Sequence, residues 1–413
     1  MRRYFLRFKE DPVWSQILIF ALILFFLRLS DSIIAYWAPN QIQSSLGNSV
    51  LMGALISFQS VIGFIADLLF PRILRKVRTR RLIILAIITS ALTIFFLGAS
   101  EVKPFVAMFL VTMTLWGIYY ELANFANFQF MGSVVPRNIR TAAWGFTGMF
   151  VSLAWFFGPF IATELLEHGV TITVGTLIIF LLIAFVLVML NKSMHSTPQD
   201  IISLEKADPW LEFRHWMILA KAVWPALIIN LLLGIIDATF YTVGAVWAEK
   251  LTHISPWGVW FLPMYLLPFV CLGIPLSTWK IGNGKKKMAE KLLVVSGILF
   301  IGMAVSPSIS WQLAIICLAS CGVAICYPLI EGVFTDYLNR MGKEKKDMIG
   351  LTSSVINISY IIWPVFAGLL ASKVGERLTF SYMGVLVLTI SIILLFVTPR
   401  KLKLPQTEIK TWE

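Results

Sequence analysis

Five ionisable residues stand inside long apolar stretches of this sequence: Arg28, Asp31, Glu121, Asp237 and Glu331. Keeping such a side chain in hydrocarbon costs about 2.5–3.5 kcal/mol by insertion scales, so each one needs a reason to be there. The chemistry open to them is to bind and release protons, or to hold the polar part of a small solute. Arg28 and Asp31 are three residues apart and share one helix face. Two readings stand: an internal ion pair that makes both tolerable, or a pair of which one member meets solute or proton. Asp237 lies on a helical stripe with Asn230, Gly234 and Tyr241, and the nearest basic residue in its own apolar run, Lys221, is sixteen residues away. A lone carboxylate is costly to keep charged in hydrocarbon, which suits a proton carrier. Arg28 is a formal partner for it.

Two further acids sit among polar and aromatic neighbours. Glu121 stands with Tyr120, Asn124 and Asn127, and Glu331 with Tyr327 and Thr335 at steps of four, beside Pro328. At 1.5 Å per residue both glutamates lie about 25–30 Å below one face of a membrane. There they act either as ligands or as gates that pair with loop arginines. Asn357 is a further polar candidate in a late apolar run. An enzyme would need a nucleophile–base pair or a metal cluster, and neither is present, so neither enzymatic activity, metal nor cofactor is expected. Cys271, Cys317, Cys321 and Cys326 lie in apolar runs and read as packing residues; His168, His195, His215 and His253 all fall in predicted loops.

The elements that must position these groups follow from hydrophobicity. Hydrophobic residues make up 58% of the 413 positions and charged residues 14%, against about 25% charged in soluble domains. Apolar runs of about 20 residues, enough to cross a bilayer, fall near 15–37, 48–70, 81–100, 104–126, 141–164 and 170–190. Six more fall near 217–247, 255–278, 290–307, 310–337, 348–371 and 378–398. The expected fold is all-α: twelve membrane spans in two six-helix bundles, 1–190 and 216–398. A cytoplasmic linker, 191–215, joins the bundles, and a cytoplasmic tail, 399–413, follows. The N-terminus is basic and aromatic without a small-residue cleavage site, which reads as a retained tail.

The net charge of +12 does not point to nucleic acid, because the basic residues cluster between the apolar runs as topology signals. With the N-terminus inside, all but five of the 34 basic residues fall on the cytoplasmic side; the exceptions are Arg28, Lys103, Lys250, Lys373 and Arg377. Both termini are therefore expected in the cytoplasm, in a prokaryotic-type plasma membrane, with lipids as neighbours and the chain acting as a monomer.

The two halves echo each other. Gly145, Ala154, Gly158, Pro159 and Ala162 in the fifth span are answered by Gly350, Ser359, Trp363, Pro364 and Ala367 in the eleventh, always 205 residues later. Asp31 and Asp237 are separated by 206 residues, Glu121 and Glu331 by 210. The second and eighth spans each end in glycine, three residues, a polar residue and a basic loop. Parallel six-helix repeats are the plan of the major facilitator superfamily, which this sequence resembles over nearly its whole length. The stretch from Gly63 through Asp67 and Arg72 to Arg81 is similar to that family's cytoplasmic loop motif, with Phe70 and Pro71 where the family has Gly and Arg. The Gly145–Gly158–Pro159 pattern is similar to its antiporter motif, with Ala154 and Ala162 replacing glycines. The fourth-span arginine of many proton-driven drug exporters is absent, and Glu121 lies in that region.

The resemblance implies secondary active transport of a small solute by alternating access, with spans 1, 4, 7 and 10 lining a central site. It implies latching by Asp67 against the basic loop, and bending of the rocking spans at Pro159 and Pro364. Proton coupling through Asp31, Asp237, Glu121 or Glu331 is expected, with antiport and export favoured by the fifth-span pattern. Proton symport, facilitated uptake, or lipid flipping on the same scaffold are the alternatives.

Overall fold

The computed structural model describes residues 12–74, 77–102, 104–136, 140–190, 209–278, 284–338 and 345–398. Every regular element among them is helical. The chain divides into two compact units, 1–203 and 204–413.

The first unit holds α1 (Pro12–Leu46), α2 (Ser49–Ile73), α3 (Thr79–Val102), α4 (Val106–Ser133), α5 (Arg140–Glu167) and α6 (Val170–Leu190). In water these sequences would have no polar face to expose; α6, VTITVGTLIIFLLIAFVLVML, carries no charge at all. Their outward side chains are accordingly apolar: Phe95 is 62% exposed and Leu190 65%. Such a surface is stable only against lipid, where backbone groups must bond within the helix. Turns are short and locally specified. Asn48 ends the α1–α2 turn and caps α2, its Oδ1 accepting from the amides of Val50 at 2.9 Å and Leu51 at 3.1 Å.

The second unit repeats the plan. α7 runs as Pro209–Thr239, passes through a π-helical turn at Phe240–Gly244, and finishes as Ala245–Ile254. A 3₁₀ turn, Pro256–Trp260, leads into α8 (Phe261–Thr278). α9 (Lys285–Ile301), α10 (Ile309–Leu338), α11 (Lys345–Val374) and α12 (Glu376–Val397) complete it. By length and composition, eleven helices among the described residues are able to cross a membrane; the twelfth apolar helix, over Pro256–Leu272, is shorter. Two expectations for the histidines fail. His215 lies inside α7 and His253 in the last turn of the Ala245–Ile254 segment, because the helix continues past the apolar window on both sides.

The repeat read in the sequence is present in the packing. In the first unit α1 lies against α5 and α6, α2 against α4, and α3 against α4 and α6. In the second, α7 lies against α11 and α12, α8 against α10, and α9 against α10 and α12. Each helix thus has the neighbours of its counterpart six places earlier. Both units also close one seam with a glycine facing a serine, with the roles exchanged. A Cβ on Gly158 of α5 would come within 2.1 Å of Ser32 Oγ on α1. A Cβ on Gly234 of α7 would come within 2.4 Å of Ser359 Oγ on α11. Ser32 lies 3.3 Å from the Trp155 carbonyl, to which it donates, and the Ser359 hydroxyl is shared between the Val355 carbonyl of its own helix at 3.1 Å and that of Leu231 at 3.3 Å. Small residues at such crossings let membrane helices approach closely.

Candidate functional site

Each unit carries one buried polar cluster on its first helix, and the two are built differently.

In the first unit the cluster is an ion pair. Arg28 Nη1 donates to Asp31 Oδ2 at 2.8 Å, with Arg28 6% exposed and Asp31 fully buried. The i,i+3 spacing on α1 places both groups on one face, so the sequence alone suffices to bring them together. The other carboxylate oxygen is also engaged, accepting from Trp116 Nε1 of α4 at 2.8 Å. Arg28 Nη2 donates to Asn124 Oδ1, and its guanidinium lies 4.6 Å from the ring centre of Tyr120. Tyr119 donates to the Leu27 carbonyl at 2.8 Å. The pair therefore holds α1 to α4 through Trp116, Asn124 and Tyr120, and Tyr119 adds a bond to the α1 backbone. Tyr120, 37% exposed, is its open edge. Glu121, half-buried, points the other way and lies over Gly63 of α2, where a Cβ would stand 3.5 Å from Oε1.

In the second unit the cluster is a carboxylate among phenols. Asp237 of α7 accepts from Tyr265 of α8 at Oδ1 and from Tyr327 of α10 at Oδ2, with Tyr360 of α11 a further hydrogen-bonding neighbour. Tyr265 is held in place by stacking on Phe240, ring centres 3.9 Å apart. The π-helical turn begins three residues after Asp237. Such a turn frees carbonyls from the helical ladder, and π turns often mark functional positions. Here Thr239 donates to Ile235 at 2.8 Å and Thr242 to Ala238 at 2.5 Å, satisfying carbonyls of the preceding helix. Thr239 Oγ1 in turn accepts from Trp363 Nε1 of α11 at 2.7 Å.

The polar stripe on α7 is divided by this packing. Asn230 is buried and donates to the Thr352 carbonyl at 3.1 Å, and Gly234 meets Ser359, so both belong to the α7–α11 seam. Asp237 and Tyr241 are half-buried, as are Tyr327 and Asn357, and Glu331 is exposed. Pro159 and Pro364 lie buried inside α5 and α11. Asp67, Arg72, Gly145 and Gly350 lie on helices, but their surroundings fall outside the described residues. No group of three or more metal-ligating side chains occurs among the described residues.

The family model of the Major Facilitator Superfamily matches residues 20–343 and again 284–412. The chain belongs to that superfamily. Among solved structures, a peptide transporter POT in complex with sulfate is similar, at 15% identity over 94% of each chain with a TM-score of 0.74. A POT family transporter in complex with 5-aminolevulinic acid aligns at 13% identity over 92% of this chain and 95% of the other, TM-score 0.68. The human organic anion transporter MFSD10 (TETRAN) aligns at 16% identity over 93% of this chain and all of its own, TM-score 0.62. At these identities the likeness is one of fold. No sequence among curated proteins matches.

As a superfamily member the protein is a multi-pass membrane transporter. Sequence reasoning found both aspartates but missed Tyr265 and Tyr360, which hold Asp237, and Trp116 as the partner of Asp31. A tyrosine in a span gives no signal that separates a buried donor from an interfacial aromatic; only the neighbouring helix does.

Proposed function

We propose that this superfamily member is a proton-coupled secondary transporter of a small solute, working by alternating access, with Asp237 as the proton-binding group. The observation that carries the reading is the contrast between the two aspartates. Asp31 has both oxygens engaged, one by a guanidinium within its own helix, so its charge is compensated without a proton. Asp237 is held by phenol hydroxyls, which orient a carboxylate without supplying positive charge. In hydrocarbon that residual charge favours uptake of a proton, and loss of the proton then changes what the site binds. The Gly158–Pro159 pattern of α5 supports antiport, hence export, with both termini on the cytoplasmic side as the basic loops favour. Glu121, Glu331 and the Asp67 region are assigned to the gates.

The test is transport in proteoliposomes enclosing a pH dye, with solutes first selected by thermal shift from sugars, amino acids, drugs and lysolipids. Antiport predicts that solute entry makes the lumen alkaline, and that Asp237→Asn moves solute without moving protons. Lumen acidification would instead establish symport. Solute flux indifferent to an imposed pH gradient in the wild type would refute proton coupling.

A further inference from the structure

Asp237 differs from the other buried or ion-paired acids of the structure in how its charge is met. Asp31 has Arg28 at 2.8 Å, Glu290 has Lys286 at 3.5 Å, and Glu376 has Lys250 at 2.7 Å. The titratable groups that face Asp237 are Tyr265 from α8, Tyr327 from α10 and Tyr360 from α11, with Tyr241 of α7 beside Tyr327. No lysine, arginine or histidine among the described residues stands with them. When the carboxyl is ionised, no cation among the described residues pairs with its negative charge.

The surface around that charge is aromatic. Phe269 bridges Tyr265 and Tyr327, with ring centres 5.6 and 5.8 Å away, and Asp237, Tyr241, Phe269, Tyr327 and Tyr360 are all half-buried rather than sealed. A carboxylate beside accessible ring faces recognises a soft, weakly hydrated cation, because the rings add attraction at little desolvation cost. A divalent metal would need several oxygen, nitrogen or sulfur ligands, and no such group occurs among the described residues.

We propose that Asp237 and these aromatic side chains form a subsite for a monovalent organic cation, an amine or quaternary ammonium with apolar substituents, which takes the place of the proton. This rests on the reading of Asp237 as the proton-binding group. The exchange balances: the carboxyl O–H bond breaks, its proton passes to water, and the cation pairs with the carboxylate left behind. The site is neutral in both states, so a single proton leaves for each cation bound, and transport is insensitive to membrane potential.

The test uses the purified full chain with radiolabelled tetraphenylphosphonium and with benzyltrimethylammonium in weakly buffered solution, so that binding and proton release are read together. Tetraphenylborate, matched in size and of opposite charge, is the control. The expected result is saturable cation binding that weakens as pH falls, with one proton released per cation. Asp237→Asn should lower affinity on the order of a hundredfold and abolish proton release. Asp237→Glu should retain proton release at reduced affinity, and Tyr327→Phe should weaken binding less than Asp237→Asn does while altering its pH dependence; these two guard against a variant that merely fails to fold. Binding that is equal in Asp237→Asn, absent proton release, Asp237-dependent binding of tetraphenylborate, or displacement of the proton by sodium alone would each overturn the proposal. Proton-coupled flux of a solute that competes with neither cation would sink this subsite alone and leave the proton-coupled reading standing.

Discussion

Replacing Asp31 by leucine would leave the Arg28 guanidinium 6% exposed and without the carboxylate that now lies 2.8 Å away. Breaking a buried pair by removing one partner costs about 3–5 kcal/mol, since the remaining charge stays uncompensated. Removing both charges, as Arg28→Met with Asp31→Leu, takes that penalty away. What remains is the loss of two bonds, from Trp116 Nε1 and to Asn124 Oδ1. Interhelical bonds in membrane proteins average about 0.6 kcal/mol each, so the double variant should sit about 1 kcal/mol below wild type. It should therefore recover about 2–4 kcal/mol of the single variant's loss. The assay is reversible unfolding of the detergent-solubilised chain by denaturant, run as a double-variant cycle with Asp31→Leu, Arg28→Met and the pair. If Asp31→Leu is as stable as wild type, the ion pair is not what makes these charges tolerable, and Asp31 must be reconsidered as a ligand. A double variant no better than the single would equally refute the reasoning.

Two further outcomes follow from the seams. Gly158→Ala places a Cβ within 2.1 Å of Ser32 Oγ, and Gly234→Ala places one within 2.4 Å of Ser359 Oγ. Each should cost about 1–3 kcal/mol by overpacking, measured by the same unfolding assay, and be largely rescued by Ser32→Gly and Ser359→Gly respectively. Trp363→Phe removes the 2.7 Å bond to Thr239 and should cost about 0.6 kcal/mol, with an upper limit near 1.7. Because that bond lies beside the π turn, hydrogen exchange should speed up around Phe240–Gly244 while α5 is unaffected.

Twelve apolar helices, the division into halves and the shared helix face of Arg28 and Asp31 were legible in the sequence, each because the deciding interaction is local or one-dimensional. Span length is set by bilayer thickness, and a pair three residues apart is set by helical pitch. The internal repeat was legible because matched glycines, prolines and acids recur at fixed offsets, and the packing carries it through: α1 against α5 is answered by α7 against α11. The α7 stripe was misleading as a single polar face, because sequence gives the angle of a side chain about its own helix and not which neighbour stands there. Asn230 is buried against the α11 backbone, while Asp237 is half-buried and meets α8, α10 and α11 through tyrosines.

The sequence by itself thus determined the solvent, the number of spans and the positions where charge is kept inside them. Only the tertiary structure decided that the aspartate beside an arginine of its own helix also takes a bond from a tryptophan of α4, while its repeat partner is held by tyrosines of other helices. The physical reason is that the cost of burying a charge and any partner one helical turn away are properties of the local sequence, whereas the remaining partners come from helices far away in sequence, whose side chains meet it only once the bundle has packed.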